Sequence, residues 1–314
     1  MKAVRFHEYG DPEVLRYEDV DLPVPGAGQV RVRVAATTFN GVDGNIRAGF
    51  MQDPMPLTLP HIPGLDVAGT VDALGEGVGG LEIGDRIVGF LPFVDDGAAA
   101  EYVLAPAGIL APAPTSIPLA DAAALPLVGL TAWQALFDHA ELKAGQRILI
   151  SGAGGAVGGY AVQLAKAAGA HVVATGSPRS IERVKAAGAD EVIDHTTTEV
   201  TAAVTEPVDV LLNLAPIDPT EFTALAGLVR DGGVVVSTTV WMPAPADEER
   251  GVRGIDLFVR SDAGQLSELV ARVDRGALTV DVAERVALAD LASVHARAAA
   301  GTLPGKVVVL PATA

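Results

Sequence analysis

The alternation of apolar and polar residues divides the chain into two kinds of segment. In the first 120 residues, KAVRFHEYG (2–10) and QVRVRVAATTFN (29–40) alternate with period two, which is typical of half-buried strands. HIPGLDVAGTVDALGEGVGGLEIGDRIVGF (61–90) continues with short Val/Ile runs between glycine-rich turns. This pattern predicts an antiparallel, barrel-like β domain with little helix.

From Leu119 the composition becomes helical, with an interruption at Pro126, and from Arg147 strands and helices alternate. Parallel strands need long crossover connections, so this alternation predicts an α/β fold with a doubly wound parallel sheet. The predicted strands are RILISG (147–152), HVVATG (171–176), EVID (191–194), VDVLLNLA (208–215) and GGVVVSTT (232–239), with helices over 158–168, 180–188 and 220–229.

The C-terminal segment returns to the mixed style of the first. Two amphipathic helices, over 262–278 and 291–303, precede a final strand in PGKVVVLP (304–311). We therefore expect a first domain made of residues 1–120 and 256–314, and a second domain made of residues 121–255.

Charge and composition exclude several classes of function. The 39 acidic and 22 basic residues give a formal charge of −17, which argues against nucleic acid or an anionic membrane as a partner. Cysteine is absent, so a disulfide, a thiolate nucleophile and a Cys-ligated zinc are excluded. The first residues contain no apolar segment typical of a signal peptide, and no apolar run reaches membrane-spanning length, so we expect a cytoplasmic protein.

The glycine cluster at 151–159 is the strongest chemical motif. The strand RILISG runs into Ala153-x-Gly155-x-x-Gly158 and then a helix. At such a junction the first position turns tightly, the second admits a pyrophosphate, and the third lets the helix pack on the strand. The phosphates would face the N–H groups at the helix start, at Ala156 and Val157.

The second strand indicates which dinucleotide binds. A site for NAD would have Asp or Glu near the end of this strand to bind the ribose 2′-OH. The chain instead has Thr175, Gly176, Ser177, Pro178 and Arg179, and Ser177 and Arg179 can hydrogen-bond a 2′-phosphate. This favours NADPH, although Arg179 could also be an exposed residue at a helix start.

With these motifs in view, the chain resembles the zinc-free quinone oxidoreductase (zeta-crystallin-like) branch of the medium-chain dehydrogenase/reductase superfamily. The resemblance implies a GroES-like, β-rich catalytic domain and a Rossmann domain. Besides the glycine cluster it rests on FNGVDGNIRAG (39–49), IPGLDVAGTV (62–71), GDRIVGF (84–90), AAEYVLAP (99–106), LPLVGLTAWQAL (125–136), AGADEVIDH (187–195) and GKVVV (305–309).

The zinc positions of the superfamily are changed in this chain. Zinc-dependent members have Cys where this chain has Asn40, a His-Glu pair where it has Leu65 and Asp66, and Cys where it has Leu127. Leucine cannot donate to Zn²⁺. We therefore expect no metal.

The resemblance also implies a set of cofactor contacts. Asn40 and Thr131 would lie on the nicotinamide side, and His195 near the adenosine phosphate, although His195 could equally be a solvated loop residue. Phe258 could instead belong to an edge strand at a dimer interface. The remaining implied positions are Asn213, Leu214, Ala215, Thr239 with its neighbours 238 and 240, and Lys306.

The implied reaction is hydride transfer from NADPH to an acceptor in the interdomain cleft. Relatives that reduce enoyl thioesters often have a Tyr where this chain has Phe50, which cannot give a proton. Asp43 is a polar candidate for a general acid, although a turn or cap carboxylate is at least as good an interpretation of it. A quinone needs an acid least. We therefore expect a reductase of a quinone or activated alkene (enone).

Two alternatives stay open: an enoyl-thioester reductase of a biosynthetic pathway, and a non-redox NADPH-binding or cyclase protein on the same fold. The Met- and Pro-rich loop 50–60 suggests a hydrophobic small-molecule substrate. The resemblance implies a homodimer.

Overall fold

A computed structural model describes residues 1–239 and 241–311. The chain forms two compact units, Met1–Leu127 together with Ser261–Ala314, and Val128–Arg260. The domain boundaries expected from the sequence lie a few residues N-terminal to these divisions.

The N-terminal segment of the first unit is mainly antiparallel β structure. Alternating Val and Ile side chains bury one face of its strands, as the period-two pattern indicates. Its strands are β1 (Lys2–Phe6), β2 (Leu15–Asp19), β3 (Gln29–Thr38), β4 (Asp66–Leu74), β5 (Arg86–Phe90), β6 (Tyr102–Pro106) and β7 (Leu110–Pro112), and its helices are α1 (Gly41–Arg47) and α2 (Leu119–Ala122).

The second unit contains the predicted alternation of strands and helices. Helix α3 (Pro126–Trp133) begins at the proline that interrupts the helical pattern and continues into a π-helical segment, Gln134–His139. The strands are β8 (Arg147–Ser151), β9 (His171–Gly176), β10 (Glu191–Asp194), β11 (Val208–Asn213), β12 (Val229–Ser237) and β13 (Arg253–Asp256), and the helices are α4 (Ala156–Ala167), α5 (Ile181–Ala186), α6 (Val200–Ala203) and α7 (Pro219–Ala226).

These six strands form one parallel sheet in the order β10-β9-β8-β11-β12-β13. This is the doubly wound arrangement in which the strand order reverses beside the first strand, and ligands bind at the carboxyl ends there. Leu149, Val173, Leu211 and Phe222 belong to its fully buried core. The α/β fold class is confirmed.

The C-terminal segment contains α8 (Ala263–Asp274), β14 (Glu284–Ala287), α9 (Leu291–Ala299) and β15 (Val307–Leu310). Strand β15 pairs antiparallel with β3, with Val308 opposite Thr38, and parallel with β14. Strands β3 and β15, which lie in the N-terminal and C-terminal segments of the chain, are therefore neighbours in one sheet. Among the described residues, no helix is long and apolar enough to cross a membrane.

The sequence missed one helix that bears on function. The prediction of little helix before residue 120 left FNGVDGNIRAG unassigned, yet α1 forms there with Asn40 at its N-terminal cap position. Helix α4 starts at Ala156, two residues before the predicted position, because Gly155 takes the cap position.

Candidate functional site

The candidate dinucleotide residues lie along one edge of the parallel sheet. Strands β8 and β11 end together, with Ser151 in register with Asn213, and β12 ends beside them with Ser237 opposite Asn213. All the parallel strands present their carboxyl ends at this edge. The structure thereby brings together Thr175, Ser177, Arg179, His195, Asn213, Leu214, Ala215 and Thr239 with the glycine cluster.

Gly152 makes the sharp turn at the end of β8. Its φ is +83°, whereas Ala153, the residue expected to turn, has no positive φ. The left-handed residue of this turn is Gly152, and Ala153 follows it within the same turn, because the left-handed conformation suits glycine and is strained for alanine. The Gly152 N–H donates to Thr175 Oγ1 at 3.0 Å and the Gly155 N–H donates to the Gly152 carbonyl at 3.0 Å, which fix the turn.

Gly158 allows the first turn of α4 to lie directly on this loop. A Cβ at Gly158 would be 2.5 Å from the Cα and the carbonyl oxygen of Ala153, closer than real side chains approach. The first N–H groups of α4, including those of Ala156 and Val157, have no acceptor within the helix. This loop therefore fits a dinucleotide pyrophosphate, as the sequence predicts.

The end of β9 contains no acidic side chain. The Ser177 N–H donates to Ser180 Oγ at 3.0 Å, which closes the turn before α5. Arg179 is exposed, and no carboxylate of the described residues lies within ion-pair distance of it. His195 is exposed too, and its N–H donates to the Gly176 carbonyl at 3.1 Å, so its backbone lies beside the Ser177–Arg179 turn.

One carboxylate does lie near this turn, on the neighbouring strand. Asp194 pairs in register with Gly176, and its Oδ1 accepts the N–H and the hydroxyl of Thr196 at 2.9 and 2.6 Å. These hydrogen bonds hold the pKa of Asp194 below its usual value. This carboxylate already has a structural role in the turn after β10.

The loops after β11 and β12 are tied together by backbone hydrogen bonds. Asn213 is fully buried, and its Nδ2 donates to the Ala215 carbonyl at 3.0 Å. The Leu214 N–H donates to the Ser151 carbonyl at 2.9 Å, and the Thr238 N–H to that of Asn213 at 3.1 Å. Thr239 Oγ1 lies 2.7 Å from the Ser237 hydroxyl. Val240, also implied by the resemblance, lies outside the described residues.

The other two candidates of this unit differ in exposure. Thr131 is buried in α3, with 5% of its surface exposed. Phe258 follows the edge strand β13 and is 54% exposed, as either a cofactor contact or an interface residue would be.

The first unit contains a buried polar cluster around Asp66, whose side chain is fully buried. Oδ1 of Asp66 accepts the Leu127 N–H at 2.7 Å. Oδ2 accepts the Thr38 hydroxyl, Asn40 Nδ2 at 2.9 Å and Lys306 Nζ at 3.2 Å. Asp66 and Lys306 therefore form a buried ion pair, with 3.2 Å between Oδ2 and Nζ.

The Lys306 ammonium group makes all its hydrogen bonds that the structure shows within this cluster. Besides Asp66, its Nζ donates to Asn40 Oδ1 at 2.6 Å and lies 3.4 Å from the Phe39 carbonyl. An ammonium group has three donors, and these three acceptors match them. The Asn40 amide lies between opposite charges, with its oxygen on Lys306 and its NH₂ on Asp66, so only one orientation suits it. A direct contact of Lys306 with the cofactor stays a prediction.

Asp43 is the third residue of α1 and is buried, with 3% exposed. Its Oδ2 accepts the Asn40 N–H at 2.8 Å, and its Oδ1 accepts the Gly64 N–H at 3.2 Å. The structure thus shows the cap carboxylate that the sequence left open, since both oxygens bind backbone donors. Burial raises the pKa of Asp43 to about 7, against these hydrogen bonds, and a role in proton transfer stays a prediction.

The positions that hold zinc in metal-dependent members do not fit Zn²⁺ here. Asn40 and Asp66 offer only oxygen atoms, and those atoms already bind the Lys306 ammonium. The Leu65 side chain has no atom that can bind a metal. Leu127 contributes only a backbone N–H, which donates a hydrogen bond to Asp66 and cannot bind a cation. Among the described residues, no group of three or more His, Cys, Asp or Glu could hold a metal.

Two features of the site were missed by sequence reasoning. Arg183 reaches from α5 to the glycine loop, where its Nη2 donates to the Gly154 carbonyl at 2.6 Å. The contact joins the helix after β9 to the loop after β8, and no local pattern in the sequence signals it. The pairing of Lys306 with Asp66 had no local signal, because the two residues are 240 positions apart.

Comparisons with known proteins agree with this architecture. Residues 26–115 match the alcohol dehydrogenase GroES-like domain, and residues 187–309 match a zinc-binding dehydrogenase domain. The chain is similar to the chloroplast envelope quinone oxidoreductase homolog of Arabidopsis thaliana, with 34% identity over 99% of this chain and 98% of that protein. It is also similar to the quinone oxidoreductase of Rattus norvegicus, with 38% identity over 198 residues, which are 62% of this chain and 59% of that protein.

Solved structures give the same result over the whole chain. The quinone oxidoreductase from Coxiella burnetii superposes with a TM-score of 0.90 at 28% identity, covering 99% of each chain. That from Pseudomonas syringae pv. Tomato DC3000 superposes with a TM-score of 0.86 at 30% identity, again over 99% of each. The chain is therefore an oxidoreductase that belongs to the quinone oxidoreductases of the medium-chain dehydrogenase/reductase superfamily, which use a nicotinamide cofactor.

Proposed function

We propose that this protein is a zinc-independent, NADPH-dependent reductase that transfers a hydride to a quinone or an activated alkene. The observation that carries the proposal is the turn after β9, where a glycine, a serine and an exposed arginine stand beside a glycine loop that fits a pyrophosphate. The nicotinamide, when bound, supplies the hydride, and the chain supplies position and electrostatics.

The preference for NADPH rests on Arg179 and Ser177. A guanidinium group can bind a phosphate through two parallel hydrogen bonds, and Arg179 has no carboxylate partner among the described residues to compete for it. The Ser177 hydroxyl lies in the same turn. A site for NADH would need a carboxylate on the ribose, and the neighbouring Asp194 carboxylate is already bonded to Thr196.

Replacing Arg179 tests this preference. Arg179→Ala should weaken NADPH binding by about tenfold or more, the effect of one charged hydrogen bond, and leave NADH binding within about twofold. Lys185→Ala is a matched control, because Lys185 is an exposed cation on the helix that follows this turn and pairs with Glu182. Equal losses for NADPH and NADH would refute the 2′-phosphate assignment.

Independence from zinc rests on the buried cluster of the first unit. The Lys306 ammonium lies on the two side-chain oxygens, from Asn40 and Asp66, that a metal would need. We infer that substrate polarisation comes from hydrogen-bond donors of the chain instead of a Lewis acid. Activity that is unchanged after dialysis against a strong chelator, with no zinc found by elemental analysis, would agree; loss of activity that zinc restores would refute it.

The choice of acceptor rests on the absence of an evident acid. Phe50 stands where relatives that reduce enoyl thioesters often have Tyr, and it is 63% exposed with no proton to give. Asp43 is buried on two backbone donors. A quinone tolerates this arrangement because the hydroquinone anion can take its proton from water.

Stopped-flow oxidation of NADPH separates the acceptor classes. We expect rapid oxidation with 1,4-benzoquinone or 9,10-phenanthrenequinone and slow oxidation with crotonyl-CoA. Faster oxidation with crotonyl-CoA would favour an enoyl-thioester reductase. Tight NADPH binding with no oxidation by any of the three would refute the redox proposal for these substrates and favour a non-redox role.

Different residues of the chain would bind different parts of the dinucleotide. The glycine loop, with the N–H groups of Ala156 and Val157, would bind the pyrophosphate. Arg179 would bind the 2′-phosphate, and Asn40, with its amide fixed by Asp66 and Lys306, would orient the cofactor or the acceptor. Thr131 would contact the nicotinamide side, as the resemblance implies.

We also infer a homodimer and a hydrophobic substrate. Strand β13 is the edge of the parallel sheet, and Phe258 next to it is exposed, as is Trp241. Light scattering coupled to size-exclusion chromatography would measure the mass; a monomer at all concentrations would refute the dimer. A cytoplasmic location stays a prediction.

A further inference from the structure

We infer that Arg183 is a positioning residue for dinucleotide binding: it holds the glycine loop in the conformation that accepts a pyrophosphate. The inference rests on the proposed function, because it assumes that a nicotinamide dinucleotide binds to this loop. It assigns to Arg183, which lies in α5, a role separate from that of Arg179, which lies in the turn before α5.

The contact itself joins two segments that are far apart in the sequence. Arg183 Nη2 donates to the Gly154 carbonyl at 2.6 Å, a short, charge-assisted hydrogen bond. Arg183 is half-buried, so this bond is less screened by solvent than a surface contact. The contact links the loop after β8 to the helix after β9.

A second feature shows that the loop and this helix are closely packed. A Cβ at Gly154 would overlap the Ser180 side chain, so only glycine fits at this position without a shift. Ser180 in turn accepts the Ser177 N–H at 3.0 Å and donates to the Ser177 carbonyl at 3.2 Å. The turn that contains Arg179 and the loop that faces the pyrophosphate therefore hold each other in place.

The electrostatic consequence concerns the Gly154 carbonyl. A carbonyl oxygen in a phosphate-binding loop repels the anion if it turns toward it, whereas the N–H groups of the loop attract it. The Arg183 bond keeps this oxygen directed at a cation and adds a positive charge beside the loop. Both effects favour any dinucleotide, with or without a 2′-phosphate.

Arg179 and Arg183 therefore predict different ligand profiles. Arg179 would act on the 2′-phosphate, which only NADPH carries. Arg183 would act through the pyrophosphate loop, which NADPH and NADH share. A ligand with a 2′-phosphate but no pyrophosphate, 2′-AMP, should depend on Arg179 and not on Arg183.

The test is calorimetric titration of the full-length protein with NADPH, NADH and 2′-AMP. Arg183→Gln should weaken both dinucleotides by a similar factor, about tenfold or more, and change 2′-AMP binding by less than about twofold. Arg183→Lys should recover part of the loss, since an ammonium can donate to one carbonyl. Lys185→Gln, on the same helix, should match the wild type, and unfolding temperatures confirm that each variant folds.

Two results would overturn the inference. Unchanged dinucleotide affinity in Arg183→Gln would show that the loop does not need the contact. A loss confined to NADPH and 2′-AMP would show that Arg183 binds the 2′-phosphate directly. Wild-type protein that binds neither dinucleotide would instead refute the proposed function, and this inference with it, so the two failures are distinguishable.

Discussion

Asp43 should make the stability of the first unit fall as the pH rises through neutrality. Its carboxyl is buried, with 3% exposed, and burial raises its pKa from an ordinary value of 3.8 to about 7. The Asp66 charge acts in the same direction, whereas the Asn40 and Gly64 N–H groups and the Lys306 charge oppose it. Between these two pKa values the folded state holds a proton that the unfolded state has lost.

Unfolding therefore releases a proton in this range, and raising the pH favours unfolding. Each unit of pKa difference corresponds to about 1.36 kcal/mol, so the full difference of roughly three units is about 4 kcal/mol. Most of the change falls below pH 7, and the part between pH 5 and pH 8 is about 2.5 kcal/mol. The contribution is largest in favour of the folded state at low pH.

The assay is urea unfolding followed by circular dichroism at pH 5 and pH 8, on the wild type and on Asp43→Asn. The amide cannot titrate, so the variant should lose about 2.5 kcal/mol of the pH dependence. It should also be less stable at pH 5, because its NH₂ group meets one of the two backbone donors that Asp43 accepts. Asp53→Asn, at an exposed position, serves as the control.

The reasoning is refuted if wild type and Asp43→Asn show the same change of unfolding free energy between the two pH values. A lower stability of the variant at both pH values with an unchanged difference would mean that Asp43 is a cap residue that stays ionised. The comparison within each pH removes the contribution of all other titrating groups.

Other predictions follow from the packing of the glycine loop and from the buried ion pair. Gly158→Ala should destabilise the protein by about 2 kcal/mol and abolish dinucleotide binding, because the new Cβ would be 2.5 Å from Ala153. Gly159→Ala has open space around its Cβ and should bind the dinucleotide normally. Equal effects of the two variants in a thermal-shift titration would contradict this packing. Lys306→Met should cost about 3–5 kcal/mol by leaving a buried carboxylate unpaired. Lys2→Met removes an exposed ion pair and should leave unfolding nearly unchanged; a similar loss in both variants would refute the difference.

The parts of the fold with a local signal were predictable. Alternation with period two, strand–helix alternation from Arg147 and the glycine spacing each depend on neighbouring residues, and they gave the α/β class and the loop that fits a pyrophosphate. The same reasoning did not identify Gly152 as the residue with a positive φ in this turn, because a spacing pattern does not show backbone angles.

The buried cluster was not predictable in this way. Asn40, Asp66 and Lys306 were each singled out by resemblance, but their mutual bonding depends on the pairing of β15 with β3. A contact between residues so far apart leaves no periodic trace in a single sequence. The Arg183 contact with Gly154 was missed for a related reason, since it joins two different strand–helix connections.

The origin of Lys306 in the last strand has a consequence for biosynthesis. During translation Asp66 emerges long before its cation, so the first 127 residues carry a carboxylate that has hydrogen-bond donors but no cationic partner until Lys306 has left the ribosome. The second unit is continuous in sequence and can fold as soon as residue 260 is available. The first unit to begin synthesis is therefore the last to be completed, and a truncated chain is marked by an unpaired charge in its core.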